Sequence, residues 1–143
     1  MPSVKDIMNK TVSTITPDQT IFETAKIMSS DGVHCVLVVE KDAPVGLITE
    51  RDIVVKIIAE KKSLDIKVNE VMSKKLITIN PDASLKDAAR LMSTNKIRRL
   101  PVIKQNKLVG LVSASDFVRN IGKKSLTEEI LDAMGRYPAE ASI

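Results

Sequence analysis

Shifted against itself by 64 positions, the chain matches without a gap from residue 4 to residue 54, and sixteen of those fifty-one positions are identical. Met8 falls on Met72, Thr14-Ile15 on Thr78-Ile79, and Pro17-Asp18 on Pro81-Asp82. Ala25 falls on Ala89, Met28-Ser29 on Met92-Ser93, Val45-Gly46-Leu47 on Val109-Gly110-Leu111, and Asp52 on Asp116. A fixed internal period means one supersecondary unit built twice. Whatever fold is assigned to the first copy must therefore serve again for the second.

Within each copy, turn and cap chemistry marks the elements. Residues 12–15 read as a short extended piece stopped by Pro17-Asp18. Thr20 to Glu23 then has the Ser/Thr-x-x-Glu spacing of a capping box, so a helix is expected to start there. Ile21, Ala25 and Met28 fall at i, i+4 and i+7, a stripe that faces a core, and Leu85, Ala89 and Met92 repeat it. Residues 35–39 are a β-branched run and residues 41–44 a turn, after which 45–48 form a second strand of a hairpin. The partner hairpin is expected over 100–103 and 108–112, with Gln105, Asn106 and Lys107 at its tip. A second helix should begin near Thr49 and near Ser113. Each copy thus reads extended piece, helix, strand, strand, helix, an α/β (α+β) unit that cannot bury its sheet alone. Residues 60–65 read as the connection, dividing the chain into repeat units 1–64 and 65–126, with 127–143 as a helix and tail. In that tail residues 126–134 have helical spacing.

Bulk properties narrow the function. With 43% hydrophobic and 28% charged residues, the 143-residue chain has the balance of a soluble globular protein. Its longest apolar run, residues 35–39, is far short of the ~20 residues that span a membrane, and residues 1–6 lack the apolar core of a signal peptide. A cytoplasmic address with no membrane contact is the expectation. The single cysteine, Cys35, lies in an apolar run and reads as a small core residue, which leaves no disulfide and no metal cluster. A net charge of +4 and a pI near 9.2 suit phosphate partners. Phe22, Phe117 and Tyr137 are too few for the stacking platforms of single-strand nucleic-acid binders, and the basic pairs are scattered, so nucleic acid is not the expected partner.

The chemistry concentrates in Gly46-Leu47-Ile48-Thr49-Glu50-Arg51-Asp52 and Gly110-Leu111-Val112-Ser113-Ala114-Ser115-Asp116, each a strand ending in hydroxyl-x-x-Asp at the mouth of a helix. One account is purely structural: Thr49 with Asp52 and Ser113 with Asp116 cap the first free N–H groups of their helices. The other is that a helix start with a free hydroxyl seats phosphate, while a carboxylate one turn in accepts both hydroxyls of a ribose. The two accounts are compatible.

These paired strings, each following a T-h-x-P-D start and an A-x-x-M helix, resemble tandem CBS motifs, the arrangement called a Bateman module. The resemblance spans residues 4–120 and is similar to the CBS regions of inosine monophosphate dehydrogenase and the AMP-activated kinase γ subunit. It implies two β-α-β-β-α units packed through their sheets with pseudo-two-fold symmetry and two related ligand clefts. It implies a non-catalytic regulatory module for an adenine nucleotide or adenosyl ligand such as AMP, ADP, ATP or S-adenosylmethionine. Carried over by position, the ligand residues are Thr49, Arg51 and Asp52 with Thr14 and Ile15, and Ser113, Ser115 and Asp116 with Thr78 and Ile79. Lys96-Ile97-Arg98-Arg99-Leu100-Pro101-Val102 is similar to the family's phosphate-contacting strand, which adds Arg98 and Arg99. The first copy departs from that pattern as Val33-His34-Cys35-Val36-Leu37, which loses both arginines and the proline and keeps His34 as a donor to phosphate. Unequal clefts are therefore expected, the one with Arg98 and Arg99 preferring a charged phosphate. A homodimer, and an unidentified target protein, are the implied partners.

Three rivals are weighed. A hydrolase needs a nucleophile, a base and an orienter brought together, whereas His34 and Cys35 are neighbours on a strand and point to opposite faces. A transcriptional regulator lacks a helix-turn-helix signal and zinc-ribbon cysteines. A ligand-free dimerisation module keeps all four motif residues for capping alone.

Overall fold

The computed structural model describes residues 2–120. Within them the chain runs α1 (Val4–Ile7), β1 (Thr14–Ile15), α2 (Ile21–Asp31), β2 (Cys35–Glu40), β3 (Ala43–Thr49) and α3 (Glu50–Asp52), which continues as a π-helical stretch (Ile53–Ile58). A 3-10 turn (Val68–Glu70) precedes α4 (Leu85–Asn95), β4 (Arg99–Lys104), β5 (Lys107–Ser113) and α5 (Ala114–Asn120). The mixed α/β order expected of each copy is the observed one. The helix expected over residues 126–134 lies outside the described residues.

Both long helices begin where capping chemistry predicts. Thr20 Oγ1 accepts the Glu23 N–H at 3.1 Å while Glu23 Oε1 accepts the Thr20 N–H at 3.4 Å, the reciprocal pair of a capping box. Ser84 Oγ accepts the Asp87 N–H at 3.0 Å to start α4. At the far end α2 stops on Gly32 at φ +65°, a left-handed cap that glycine adopts freely. The second copy puts Lys96 there at φ +55°, a conformation that costs an L-residue about 1–2 kcal/mol.

Each hairpin closes in two residues. Lys41 and Asp42 sit at φ +53° and +66°, and Gln105 and Asn106 at +51° and +65°, the paired positive angles of a type I′ turn, which matches the twist of the flanking strands. The turn expected over residues 41–44 is therefore shorter, and β3 already starts at Ala43; likewise Lys107 belongs to β5. Pairing slips between Val38 and Val39 and, identically, between Val102 and Ile103. The slip lets Pro44, which has no N–H to donate, oppose Val39 at an irregularity in the ladder.

Two compact units result, one running Val12–Leu76 and the other joining the chain's start, through Thr11, to residues from Ile77 onward. In the first, the sheet order is β1-β2-β3, with β1 parallel and β3 antiparallel to β2. Its core is Ile15, Ile21, Met28, Val36, Val38, Ile48, Ile53, Ile57, Val68 and Val71. In the second, β4 pairs with β5, Ile79 bridges Val102 in parallel, and the core is built on Leu85, Ala89, Met92, Leu100, Val112 and Phe117. The stripes read from sequence thus face their cores, with Thr24 buried beside the first because its hydroxyl donates to the Thr20 carbonyl at 2.9 Å.

Repeat and compact unit divide the chain at different points. The segment after the first repeat folds back on it: Ile21 N–H donates to the Ile66 carbonyl at 2.9 Å, Val68 N–H to Gln19 at 2.8 Å, and Leu47 and Ser73 exchange two backbone bonds of 2.9 Å. The start of the chain makes the equivalent bonds to the second repeat, Val4 N–H to Ala83 at 3.0 Å and a reciprocal pair between Asn9 and Leu111 at 2.9 and 3.0 Å. In both places a methionine lies across a glycine of the hairpin, Met72 on Gly46 and Met8 on Gly110.

Candidate functional site

Antiparallel pairing of Cys35 with Thr49 and of Arg99 with Ser113 brings each hydroxyl-x-x-Asp motif to the end of the sheet where the hairpin's first strand begins. The turn into the following helix is fixed by one backbone bond, Glu50 N–H to the His34 carbonyl at 3.0 Å and Ala114 N–H to the Arg98 carbonyl at 2.9 Å. His34 and Arg98, predicted from the sequence as phosphate donors, are thereby set beside their own motifs.

In the Val12–Leu76 unit, Asp52 Oδ2 accepts the Thr49 N–H at 3.0 Å and the Thr49 hydroxyl at 3.1 Å, and Thr49 Oγ1 accepts the Asp52 N–H at 3.2 Å. The other oxygen, Oδ1, pairs with Lys56 Nζ at 3.1 Å, and that ammonium also donates to the Val71 carbonyl at 3.2 Å. In the other unit Asp116 Oδ2 accepts the Ser113 N–H at 2.8 Å and the Ser113 hydroxyl at 3.0 Å, while Oδ1 pairs with Arg119. Asp116 is buried and Asp52 half-buried. A buried carboxylate is tolerated only when its charge is paired and bonded, which the cap and the cation together achieve. A carboxylate accepts about four hydrogen bonds. Three are taken in each motif, so a ribose diol donating two must displace the cation or turn the cap hydroxyl aside.

The remaining predicted residues distribute unevenly. Ser115 Oγ lies 2.9 Å from Ser113 Oγ, so it belongs to the second motif's hydroxyl group. Arg51 is exposed on α3. Thr14 and Thr78 are exposed at the start of their extended pieces, but Ile15 and Ile79 are spent in the cores, 2% and 7% exposed, and present only main chain. Arg99 is half-buried at the start of β4 and Arg98 half-buried just before it. His34 Nδ1 faces Glu50 Oε1 at 3.2 Å, both side chains well exposed. Cys35 is buried, as its apolar surroundings require.

Three residues at the motifs escape the family pattern: Glu50, Lys56 and Arg119. The two cations had a signal in Asp52-to-Lys56 and Asp116-to-Arg119, the i,i+4 and i,i+3 spacings at which opposite charges meet on a helix. The cations come from non-equivalent positions of the repeat yet reach the same carboxylate oxygen.

A duplicated α/β unit that carries a hydroxyl–carboxylate pair at the same end of each hairpin defines a class of module built by tandem repetition. Comparison with known proteins places it further. The family model described as CBS domain matches residues 4–59 and again 68–123, and the chain belongs to that family. CBS domain-containing protein YhcV of Bacillus subtilis is 43% identical over 120 residues, covering 84% of this chain and 86% of its own. Inosine-5'-monophosphate dehydrogenase of Methanocaldococcus jannaschii is 31% identical over 139 residues, which are 96% of this chain and 26% of that enzyme. Among solved structures, the CBS domain pair of protein MJ0100, in complex with 5-methylthioadenosine and S-adenosyl-L-methionine, matches with TM-score 0.73 at 31% identity, covering 82% of this chain and 94% of that one.

Proposed function

We propose that the chain is a non-catalytic regulatory module that binds an adenosyl ligand, with Asp52 or Asp116 accepting ribose hydroxyls and the adjacent Thr49 or Ser113 completing the polar end of the site. One observation carries this reading: the same hydroxyl–carboxylate pair stands at the same end of both hairpins, each carboxylate retaining acceptor capacity beyond its cap. The relative crystallised with methylthioadenosine and S-adenosylmethionine supports the ligand class. Among the described residues no helix is long and apolar enough to cross a membrane. Val54 and Val118, equivalent in the two repeats, are each 53% exposed, and Ile58 is 60% exposed, which supports a homodimer as the working assembly. A ligand regulates such an assembly only by binding one arrangement of it more tightly.

The closed capping geometry favours a second reading, a scaffold whose four motif residues serve their helices alone. Thermal shift against AMP, ADP, ATP, GMP and S-adenosylmethionine separates the two. The sensor predicts stabilisation by at least one adenosyl compound, abolished by Asp52→Asn with Asp116→Asn; the scaffold predicts none from any of the five.

A further inference from the structure

We propose that Lys56 is a latch between the Asp52 carboxylate and the segment that closes the Val12–Leu76 unit: a ribose seated on Asp52 frees the Lys56 ammonium, and the turn that ends at Val71 loosens. The inference rests on the ribose reading of Asp52 and adds how occupancy is passed on.

Lys56 Nζ holds two acceptors from separate parts of the chain, Asp52 Oδ1 at 3.1 Å and the Val71 carbonyl at 3.2 Å. Of the groups bonded to Asp52, this ammonium is the one that can leave. Turning the Thr49 hydroxyl aside would strip the Asp52 N–H of its acceptor at 3.2 Å, at a half-buried helix start where an unmet donor is costly. The Lys56 side chain is 48% exposed, so water can take over the donors it frees. Once Asp52 is occupied, a single carbonyl is left to order a long flexible side chain, and rotamer entropy opposes that bond. Loss of the first acceptor therefore weakens the second contact.

The second contact lies where the unit closes. Val71 caps the 3-10 turn, and the Val71 and Met72 N–H groups both donate to the Val68 carbonyl, at 3.0 and 2.9 Å. Just beyond, Ser73 exchanges its two backbone bonds with Leu47, and the unit ends at Leu76. Lys56 itself stands in the π-helical stretch Ile53–Ile58, a wide helical geometry found disproportionately at functional sites. The second repeat is built otherwise. Its equivalent of Lys56 is Asn120, whose amide donates to the Asp116 carbonyl of its own helix at 2.7 Å. The Arg119 side chain has Asp116 as its only partner among the described residues. Among those residues the latch thus belongs to the first unit alone.

Hydrogen–deuterium exchange on the full chain carrying Asp116→Asn, which removes the second unit's ribose acceptor, tests the latch. The probes are adenosine, which carries the diol and no charge, and 2′,3′-dideoxyadenosine, which lacks both hydroxyls. Saturating adenosine should speed exchange at the Val71, Met72 and Ser73 amides roughly twofold to fivefold, the range of one exposed charge pair, and the dideoxy compound should not. Binding by itself stabilises the fold and slows exchange, so this acceleration has the opposite sign from simple stabilisation. Lys56→Met should show the faster exchange without ligand and no further response to adenosine, whereas Lys56→Arg, which can keep both contacts, should retain the response. Adenosine that raises the melting temperature yet leaves these amides unchanged or slower overturns the latch and leaves the ribose reading intact, as does a response that survives Lys56→Met. The comparison of the two nucleosides uses the native Lys56, so it decides the question even where Lys56→Met does not fold. Failure of adenosine to bind removes the ribose reading of Asp52 and the latch with it.

Discussion

Replacing Gly46 by alanine sets a defined steric problem. A Cβ built there overlaps Met72 Sδ and falls 2.8 Å from Met72 Cγ and 3.1 Å from the Ser73 carbonyl oxygen, where carbon and its neighbours prefer ~3.5–4.0 Å. The carbonyl cannot retreat, since it accepts the Leu47 N–H at 2.9 Å, so Met72 must swing out. Leaving its rotamer costs about 0.5–1.5 kcal/mol, and the packing it abandons brings the total to about 1–3 kcal/mol. Met72→Ala alone costs near the low end of ~2–5 kcal/mol because the side chain is half-buried. In the double variant the added methyl occupies space already vacated. Its loss should therefore fall short of the sum of the singles by about 1 kcal/mol or more. Urea unfolding followed by circular dichroism measures all four corners of the cycle through the midpoint at constant slope. Strict additivity would refute the contact, and with it the view that the returning segment is locked onto the hairpin through this pair.

Thr20→Ala removes the acceptor for the Glu23 N–H and should lower stability by about 1 kcal/mol, read as a fall in melting temperature; Thr20→Ser should restore most of it. The acid limb of stability should rest partly on Asp82, whose carboxyl is held below its ordinary value of 3.8 by the hydrogen bond and charge of Lys5. A depressed carboxyl contributes stability above its unfolded value and loses it as pH falls through the lower folded one, so Asp82→Asn should flatten the melting-temperature profile below about pH 4. Because both partners are exposed the change is small, and an unaltered acid limb would show that the pair contributes nothing.

What the sequence disclosed and what it withheld divide along a physical line. Caps, stripes and strands depend on neighbours a few positions apart, so Thr20-x-x-Glu23, the Leu85 to Met92 stripe and the valine run of β2 could be read directly. The hairpin turns could not be sized correctly, because Lys41-Asp42 and Gln105-Asn106 adopt positive φ without the glycine that usually announces it. The folding-back of residues 64–73 onto the first repeat was also hidden, for it depends on backbone bonds between distant segments that no local pattern records. At the motifs, spacing alone showed that Thr49 and Asp52, or Ser113 and Asp116, would meet. It did not show that His34 would turn to Glu50, since that contact is set by the bond between Glu50 N–H and the His34 carbonyl.

The hydrogen bond from Lys5 to Asp82 joins positions 77 residues apart, and it belongs to the same seam as the bridge between Asn9 and Leu111. On the ribosome, where ~5–20 residues emerge each second, Lys5 and Asn9 wait for Asp82 and Leu111 to be made. The Val12–Leu76 unit, which contains its own closing segment, has everything it needs before Asp82 and Leu111 are made. Synthesis thus imposes an order of assembly, the Val12–Leu76 unit before the one that flanks it in sequence, and a ribosome that stalls between Leu76 and Leu111 leaves residues 4–9 as an unclaimed edge.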